Sequence, residues 1–255
     1  MKIYRYKHRN KTYCGVLEED TLHEIEGSVF RGIKTKKEGI PISEVILLPP
    51  VEPSKIVAVG ANYKKHAVEM GRSVPEEPLI FLMPPSAVVG PNDIIIFPKM
   101  AKRIDYEGEL ALIIRKEAHL LSDSVNVEDY ILGYCCFNDV TARDLQSKDG
   151  QFTRAKSFDT FAAVGPCITT GVDPSNLRLK TFLNGKLKQS SSTNNLIFPI
   201  PFLVRFVSRI MTLVPGDIIT TGTPSGVGPM SPGDRVDVQI EGIGTLSNTV
   251  MKIKQ

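Results

Sequence analysis

Short apolar runs separated by proline and glycine recur along the whole of this 255-residue chain. Runs of this length, rich in Val, Ile and Phe, are typical of strands. They predict strands at residues 55–59, 79–82, 94–97, 104–115 and 130–137, and the strands at 79–82 and 94–97 are expected to be buried. Asn184 and Gly185 predict a hairpin turn within residues 179–187, and a closing hairpin is predicted at 236–240 and 245–253.

The predicted helices are short. Asn62 is expected to cap a helix over residues 63–70, a turn after Asn138 leads into a helix that ends at Gln146, and a further helix covers 201–211. No strand–helix–strand rhythm repeats, which argues against a Rossmann fold or an α/β barrel. The sequence therefore predicts a β-rich α+β fold. A proline-rich linker at 48–54 is expected to join a small β-rich domain, residues 1–50, to a larger domain, residues 54–253.

Charge and composition exclude several classes of function. The formal net charge is +3, and lysine and arginine are scattered without a basic stripe, so nucleic acid is not expected as a partner. The apolar runs are too short to span a membrane. The N-terminus alternates charged and apolar residues, unlike a signal peptide, and a cytoplasmic location is expected. The four cysteines lack C-x-x-C spacing and are expected to be reduced thiols that fill core space.

The most informative segment places carboxylates at the entrance to an apolar strand. Asp105, Glu107 and Glu109 are two residues apart, so in one continuous strand they would project from the same face. Carboxylates next to a core need protons or a cation, and a hard divalent ion with oxygen ligands suits them. The alternative is a solvated acidic edge with Lys102 and Arg103 as partners.

Asp139 adds a third carboxylate at a second strand end. It follows the apolar run 131–137. Such an aspartate could cap the helix that comes after it. It could equally complete a Mg²⁺ site, because three protein oxygens leave positions for water or substrate.

Five motifs in order resemble the fumarylacetoacetate hydrolase family, in its short bacterial form with a small N-terminal domain. They cover residues 59–69, 106–111, 137–144, 155–159 and 216–228, within a match of about 54–253. The resemblance implies a mixed β-roll of the fumarylacetoacetase C-terminal type and a homodimer. It also implies Mg²⁺ or Mn²⁺ held by Glu107, Glu109 and Asp139.

The resemblance further implies a catalytic pair, His66 and Glu69, on a segment that closes over the substrate. Taken alone, these residues lie three apart on a predicted helix and are either a general base with its orienting carboxylate or a surface pair. Lys156, in a run of small residues, could be drawn inward to offset enolate charge.

Substrate contacts are implied for Arg143, Gln146 and Thr223, as well as for Lys156. The Arg143 guanidinium could hold a substrate carboxylate in a bidentate fork, or could form a surface ion pair with Asp144 or Asp149. The glycine-rich loop 221–228 lacks the ending of a nucleotide-binding loop. Its amides and the Thr223 hydroxyl are expected to bind a substrate carboxylate.

Together these features predict a metal-dependent enzyme that acts on a small 2-oxo acid through a metal-bound enolate. Hydrolysis of an acylpyruvate, such as fumarylpyruvate or acetylpyruvate, is favoured. The alternatives are isomerisation of 2-hydroxyhepta-2,4-diene-1,7-dioate and decarboxylation of oxaloacetate or of a 5-carboxymethyl-type substrate. A non-catalytic metal-binding protein of the same fold is the further alternative. His66, Glu69 and Lys156 argue against it, because a binding protein needs no activated water.

Overall fold

The computed structural model describes residues 1–71 and 73–252, so residue 253 of the predicted closing hairpin lies outside the described residues. The strands are β1 (Lys2–His8), β2 (Lys11–Glu18), β3 (Thr21–Ile25), β4 (Thr35–Pro41), β5 (Ile46–Leu47), β6 (Ile56–Gly60), β7 (Leu79–Met83), β8 (Val88–Val89), β9 (Ile94–Ile96), β10 (Ile104–Tyr106), β11 (Gly108–Ile114), β12 (Ile131–Asp139), β13 (Thr141–Ala142), β14 (Ala162–Thr169), β15 (Arg178–Leu183), β16 (Lys186–Ser192), β17 (Ile218–Thr220), β18 (Gly228–Met230), β19 (Arg235–Ile240) and β20 (Gly244–Met251). The α-helices are α1 (Lys64–Glu69), α2 (Arg143–Asp149), α3 (Thr153–Lys156) and α4 (Ile200–Ile210).

The strands form one large sheet and two smaller ones. The large sheet has the order β4-β3-β2-β1-β14-β12-β11-β17-β6-β7, with β5 beside β1 and β8 beside β14. The second sheet has the order β16-β15-β19-β20-β9, and the third has the order β13-β10-β18. Most pairs are antiparallel, whereas β17–β6, β14–β8 and β20–β9 are parallel. The predicted β-rich α+β fold is confirmed.

The centre of the large sheet is buried on both faces. Every residue of β11 and β12 is buried. Alternate residues of β11 enter different hydrophobic clusters: Leu110 and Leu112 pack toward α4 and the second sheet, while Ala111 and Ile113 pack on the opposite face. Continuous apolar sequence is what a strand covered on both faces requires, so the apolar runs of β11 and β12 predicted these two strands. β14, which lies between β1 and β12, was not predicted. Within the described part of the chain, no helix is both long enough and apolar enough to cross a membrane.

The predicted strand over residues 104–115 is wrong in one respect, because it is broken at Glu107. β10 belongs to the small third sheet and β11 to the large one. The Glu107 N–H donates to the Asn138 side-chain oxygen at 2.9 Å rather than to a neighbouring backbone. Asp105 and Glu109 thus lie in different sheets and not in the one continuous strand that was predicted, and the Asp105 carboxylate binds Arg103 and Arg143.

Two further expectations are wrong: the full burial of the strands at 79–82 and 94–97, and the capping of α1 by Asn62. The predicted strand 79–82 is β7, the outer strand of the large sheet, and Leu79 and Leu82 are 43% and 48% exposed. In β9, Ile94 is 43% exposed. Asn62 does not cap α1, whose first flanking residue is Tyr63. The Asn62 side chain instead accepts a hydrogen bond from the Phe198 N–H at 2.8 Å and donates one to the Thr221 carbonyl at 2.8 Å.

The N-terminal residues share the large sheet with the rest of the chain. β1 pairs with β14 through Lys2–Thr169 and Ile3–Ile168. Residues 48–55, which were expected to contain the linker, form neither helix nor strand. Asp217 fixes the end of this stretch, because its Oδ1 accepts from the Ser54 hydroxyl at 2.6 Å and from the Lys55 N–H at 3.2 Å. The division into two domains stays a prediction.

Candidate active site

Three buried carboxylates meet where β11 and β12 lie side by side. Glu107 precedes β11, Glu109 is its second residue, and Asp139 ends β12. The register pairs Gly108 with Asn138, and the Asp139 N–H donates to the Glu107 carbonyl at 2.9 Å. One oxygen from each carboxylate lies within 4.8 Å of the others. The structure thus brings together the three side chains that the sequence predicted as metal ligands.

The chemistry of this cluster fits a hard divalent cation. Oxygen ligands from carboxylates are those that Mg²⁺ and Mn²⁺ prefer. The Asp139 Oδ1 atom is buried and has no hydrogen-bond partner among the described residues. A buried oxygen of this kind is costly unless something binds it. Glu109 also indicates a cation site, because burial and the neighbouring Asp139 charge raise its pKa well above the usual value.

Lys156 is a buried cation within the same cluster. Its ammonium donates to Glu107 Oε2 at 2.7 Å and also to Asp139 Oδ2. Burial alone would lower the Lys156 pKa, but the charges of Asp139 and Glu107 outweigh it and raise the pKa. The lysine expected to be drawn inward is therefore charged and lies against two of the carboxylates.

Arg143 lies on the other side of Glu107. Its Nη2 donates to Glu107 Oε1, its Nη1 to Gln146 Oε1 at 2.7 Å and its Nε to Asp105 Oδ2 at 3.0 Å. The surface pair with Asp144 or Asp149 is not formed: Asp144 accepts backbone N–H groups of residues 102 and 103, and Asp149 pairs with Arg154.

Lys156 and Arg143 give the carboxyl groups of the cluster different pKa values. Burial raises the pKa of Glu107, but Lys156 and Arg143 together bring it down to about 2. Burial raises the pKa of Asp139 to about 6, with Lys156 opposing the shift and the Glu107 charge adding to it. At neutral pH one carboxylate is thus firmly ionised, while its neighbours retain protons more readily.

His66 and Glu69 form the predicted pair on α1. His66 Nδ1 lies 3.1 Å from Glu69 Oε2, and His66 is buried. Glu69 Oε1 also accepts from the Gly226 N–H at 2.9 Å, which ties α1 to the glycine-rich loop. This arrangement fixes the ring through one nitrogen and leaves the other for chemistry.

Thr223 takes part in a hydrogen-bond ring that the sequence did not reveal. Its hydroxyl donates to the Gly108 carbonyl at 2.9 Å and accepts from Gln189 Nε2 at 2.8 Å, while Gln189 Oε1 accepts from the Gly108 N–H at 3.0 Å. The hydroxyl hydrogen of Thr223 is thus already used, and its contact with substrate stays a prediction. Gln189 is far away in sequence, within a polar hairpin strand, and no local signal marked it.

A single cleft joins these groups. The carboxylate cluster, His66, Arg143, Gln146, Lys156 and Thr223 all line it. Val59, Met70, Phe81 and Phe152 form an apolar wall, in which the two phenylalanine rings meet edge to face at 5.0 Å. The cleft therefore offers both charged and apolar side chains to one small molecule, and the Lys156 Nζ atom lies 5.4 Å from the centre of the Phe81 ring.

Two family matches cover nearly all of the sequence. Residues 55–251 match the family described as "Fumarylacetoacetate (FAA) hydrolase C-terminal", and residues 1–50 match "Rv2993c-like, N-terminal". The first match contains all of the site residues described above.

Similar proteins carry several activities in their names. A solved structure of 5-carboxymethyl-2-hydroxymuconate delta-isomerase from Mycobacterium smegmatis is 42% identical, covers 99% of this chain and 100% of that one, and gives a TM-score of 0.93. A fumarylacetoacetate hydrolase from Exiguobacterium antarcticum is 36% identical over 99% of this chain and 100% of that one, with a TM-score of 0.89. Oxaloacetate tautomerase YisK of Bacillus subtilis is 42% identical and matches 82% of this chain and 74% of its own length.

Proposed function

The chain is an enzyme of the fumarylacetoacetate hydrolase family, and from this premise we propose that it catalyses proton transfer at C3 of a small 2-oxo acid with the help of Mg²⁺ or Mn²⁺. Such a reaction interconverts keto and enol forms or moves a double bond. The observation that carries the proposal is His66, oriented by Glu69, in the same cleft as the buried carboxylate cluster.

Glu107, Glu109 and Asp139 would hold the divalent ion. When bound, the ion would act as a Lewis acid toward the C2 oxygen and the carboxylate of a 2-oxo acid. Since Glu109 and Asp139 have raised pKa values, they would lose protons as the ion binds.

His66 is the group that moves the C3 proton. Because its Nδ1 faces the Glu69 carboxylate, the Nδ1 nitrogen carries the hydrogen and Nε2 carries the lone pair. Nε2 accepts a proton from C3 of the keto form, which leaves an enolate, and the imidazolium then gives that proton to the C2 oxygen to form the enol. The reverse transfers convert the enol into the keto form. Glu69 stabilises the imidazolium between these steps.

Lys156 supplies positive charge where the substrate gains negative charge. Its ammonium lies in the cleft beside Glu107, where the C2 oxygen of a 2-oxo acid would be placed. A buried donor of this kind acts mainly on the charge that develops during reaction. Arg143 donates a hydrogen bond to Gln146, and both side chains line the cleft, so they would orient the substrate in it.

The similar proteins named isomerase and tautomerase support proton transfer. A second candidate, hydrolysis of the C–C bond of an acylpyruvate, is favoured by the apolar wall of the cleft. Met70, Phe81 and Phe152 could pack against the alkyl part of an acyl group. In that reaction His66 would activate water rather than move the C3 proton.

Activity on three substrates separates these chemistries. Tautomerisation is followed as the loss of enol-oxaloacetate absorbance, hydrolysis as pyruvate release from acetylpyruvate, and decarboxylation as pyruvate release from oxaloacetate. Each assay is run with Mn²⁺, with EDTA, and with Mn²⁺ but no protein, because the free ion decarboxylates oxaloacetate. We expect the tautomerisation rate to be the highest and to disappear with EDTA.

His66→Ala tests the assigned base. We expect tautomerisation and any hydrolysis to fall by ~10²–10⁴-fold, the range typical of general-base loss. Decarboxylation should fall much less, because it needs no proton acceptor at C3. His119→Ala, which changes an exposed histidine, is the matched control and should leave all rates unchanged. An undiminished tautomerisation rate in His66→Ala would reject the assignment.

A further inference from the structure

Asp105 is a buried carboxylate to which the proposed reaction gives no role. Its Oδ1 accepts from Arg103 Nε at 2.7 Å, and its Oδ2 accepts from Arg103 Nη2 at 2.9 Å and from Arg143 Nε at 3.0 Å. It is completely buried, whereas the Arg103 side chain is half exposed. A buried charge is retained at a cost, so its partners indicate what it does.

Arg143 connects Asp105 to the carboxylate cluster. The Arg143 guanidinium binds Asp105, Glu107 and Gln146 through three different nitrogens. Contacts in three directions fix the plane of the guanidinium. Asp105 is thus two hydrogen bonds away from Glu107, one of the proposed ligands of the divalent ion.

The charges explain why such a partner is needed. A guanidinium that faced Glu107 alone would compete with a divalent ion for that carboxylate. Asp105 takes part of the Arg143 charge. Without Asp105 the charge beside the ion site would be one unit more positive, which would weaken the binding of a cation.

We propose that Asp105 is a positioning residue for the divalent-ion site: it holds Arg143 and shares its charge, so that Glu107 remains available to the ion. The inference rests on the metal dependence in the proposed function. The competing explanation is structural, namely that Asp105 and Arg103 merely fasten the chain before β10.

The test measures Mn²⁺ affinity of the full chain by electron paramagnetic resonance, without substrate. Asp105→Asn keeps the shape of the side chain and removes its charge. We expect the Mn²⁺ dissociation constant to rise by ~10–100-fold, the usual effect of losing a group that supports a metal ligand. Asp149→Asn is the matched control, because it also removes an aspartate that pairs with an arginine, Arg154, but at the surface. Its Mn²⁺ affinity should equal that of the wild type.

Arg103→Gln separates the two explanations, and still does so if Asp105→Asn does not fold. Without Arg103, Asp105 can direct its whole charge to Arg143, so Mn²⁺ should bind as tightly as in the wild type or more tightly. A loss of affinity in Arg103→Gln as large as that expected for Asp105→Asn would overturn the proposal, as would an unchanged affinity in a folded Asp105→Asn. A wild-type chain that binds no Mn²⁺ would overturn the ion site itself, a separate and recognisable result.

Discussion

Glu107, Glu109 and Asp139 share one buried site, but each has different neighbours. Glu107 receives hydrogen bonds from both cations, which hold its pKa near 2. Glu109 accepts instead from the Gly222 N–H at 2.8 Å, a neutral donor. Burial and the Asp139 charge therefore leave its pKa well above the usual value. The metal-free protein is expected to keep a proton on Glu109, and the divalent ion would replace that proton.

The affinity for Mn²⁺ is expected to rise with pH. The pKa of Asp139 is raised from 3.8 to about 6 and that of Glu109 is raised well above its usual value, so both carboxyl groups hold protons that the ion must displace. Metal-free stability changes in the opposite direction: as pH rises from about 4 through 6, the unfolded chain releases these protons before the folded one does, and stability is lost. Calorimetric titration in two buffers of different ionisation enthalpy measures the released protons.

Glu109→Gln is the variant that isolates this effect. It keeps the side-chain shape and removes a carboxyl group whose pKa is raised well above the usual value. Thermal unfolding in EDTA at pH 7 should occur at the wild-type temperature or above it, while the stabilisation by Mn²⁺ should vanish. Glu117→Gln, at an exposed position, serves as control and should retain it. A marked loss of metal-free stability would show that Glu109 is ionised and satisfied without the ion.

At the scale of elements, local patterns predicted about half of the strands but not which strands pair with each other. The hairpin with Asn184 and Gly185 forms as predicted, with positive φ at both residues. The helix predicted over 201–211 is α4, Ile200–Ile210. The break at Glu107 escaped prediction because Asn138, whose side chain receives the Glu107 N–H, is distant in sequence. Partners of this kind are set by tertiary packing, and no period in one segment encodes them.

In the candidate active site, too, residues within short motifs could be predicted, whereas residues that act through distant partners could not. The two glutamates on β11 and the strand-end Asp139 could be found because they carry their chemistry within short motifs. Gln189 could not, because it acts through a hydrogen bond to the Gly108 N–H, 81 residues away in sequence. The exposure of β7 was missed for a related reason. An outer strand and a central one can have the same apolar run, and the neighbours that distinguish them lie elsewhere in the chain.

Gly222, which lies just after β17, is a position that is sensitive to substitution. Its φ is +89°, and an added Cβ would lie 2.9 Å from the Asn62 Cβ and 3.0 Å from the Val59 carbonyl oxygen. Gly222→Ala should therefore lower stability by about 2–4 kcal/mol, from backbone strain plus overpacking. It should also weaken Mn²⁺ binding, because the displaced N–H is the one that holds Glu109.

Gly233→Ala provides the comparison for Gly222→Ala. Gly233 has a similar φ of +96°, but nothing lies within 4 Å of an added Cβ. This variant should carry the backbone cost alone, about 1–2 kcal/mol, and should bind Mn²⁺ normally. Chemical denaturation measures both stabilities, and equal losses in the two variants would mean that the contacts with Asn62 and Val59 are easily relieved.

At the scale of the whole molecule, the question is how residues 1–50 relate to the rest of the chain. They match a family different from the one that residues 55–251 match. In the structure, however, Ile3, Val16 and Ile25 share a buried cluster with Val164 and Ile168 of β14. A segment that shares both a sheet and a core should not unfold independently. The homodimer implied by the family resemblance stays a prediction at this scale.

The full chain is therefore expected to unfold in a single calorimetric transition in EDTA. Ile3→Ala should lower the temperature of that single transition, because it removes buried volume from the shared cluster. A loss of ~3 kcal/mol is typical of such a truncation, and for a chain of this size it corresponds to roughly 6–12 °C. Ile46→Ala, at a residue that is 66% exposed, should leave the transition in place. Two transitions, with Ile3→Ala shifting just one of them, would show instead that residues 1–50 fold as an independent unit, because contacts across the β1–β14 pair would then be too weak to couple the two parts.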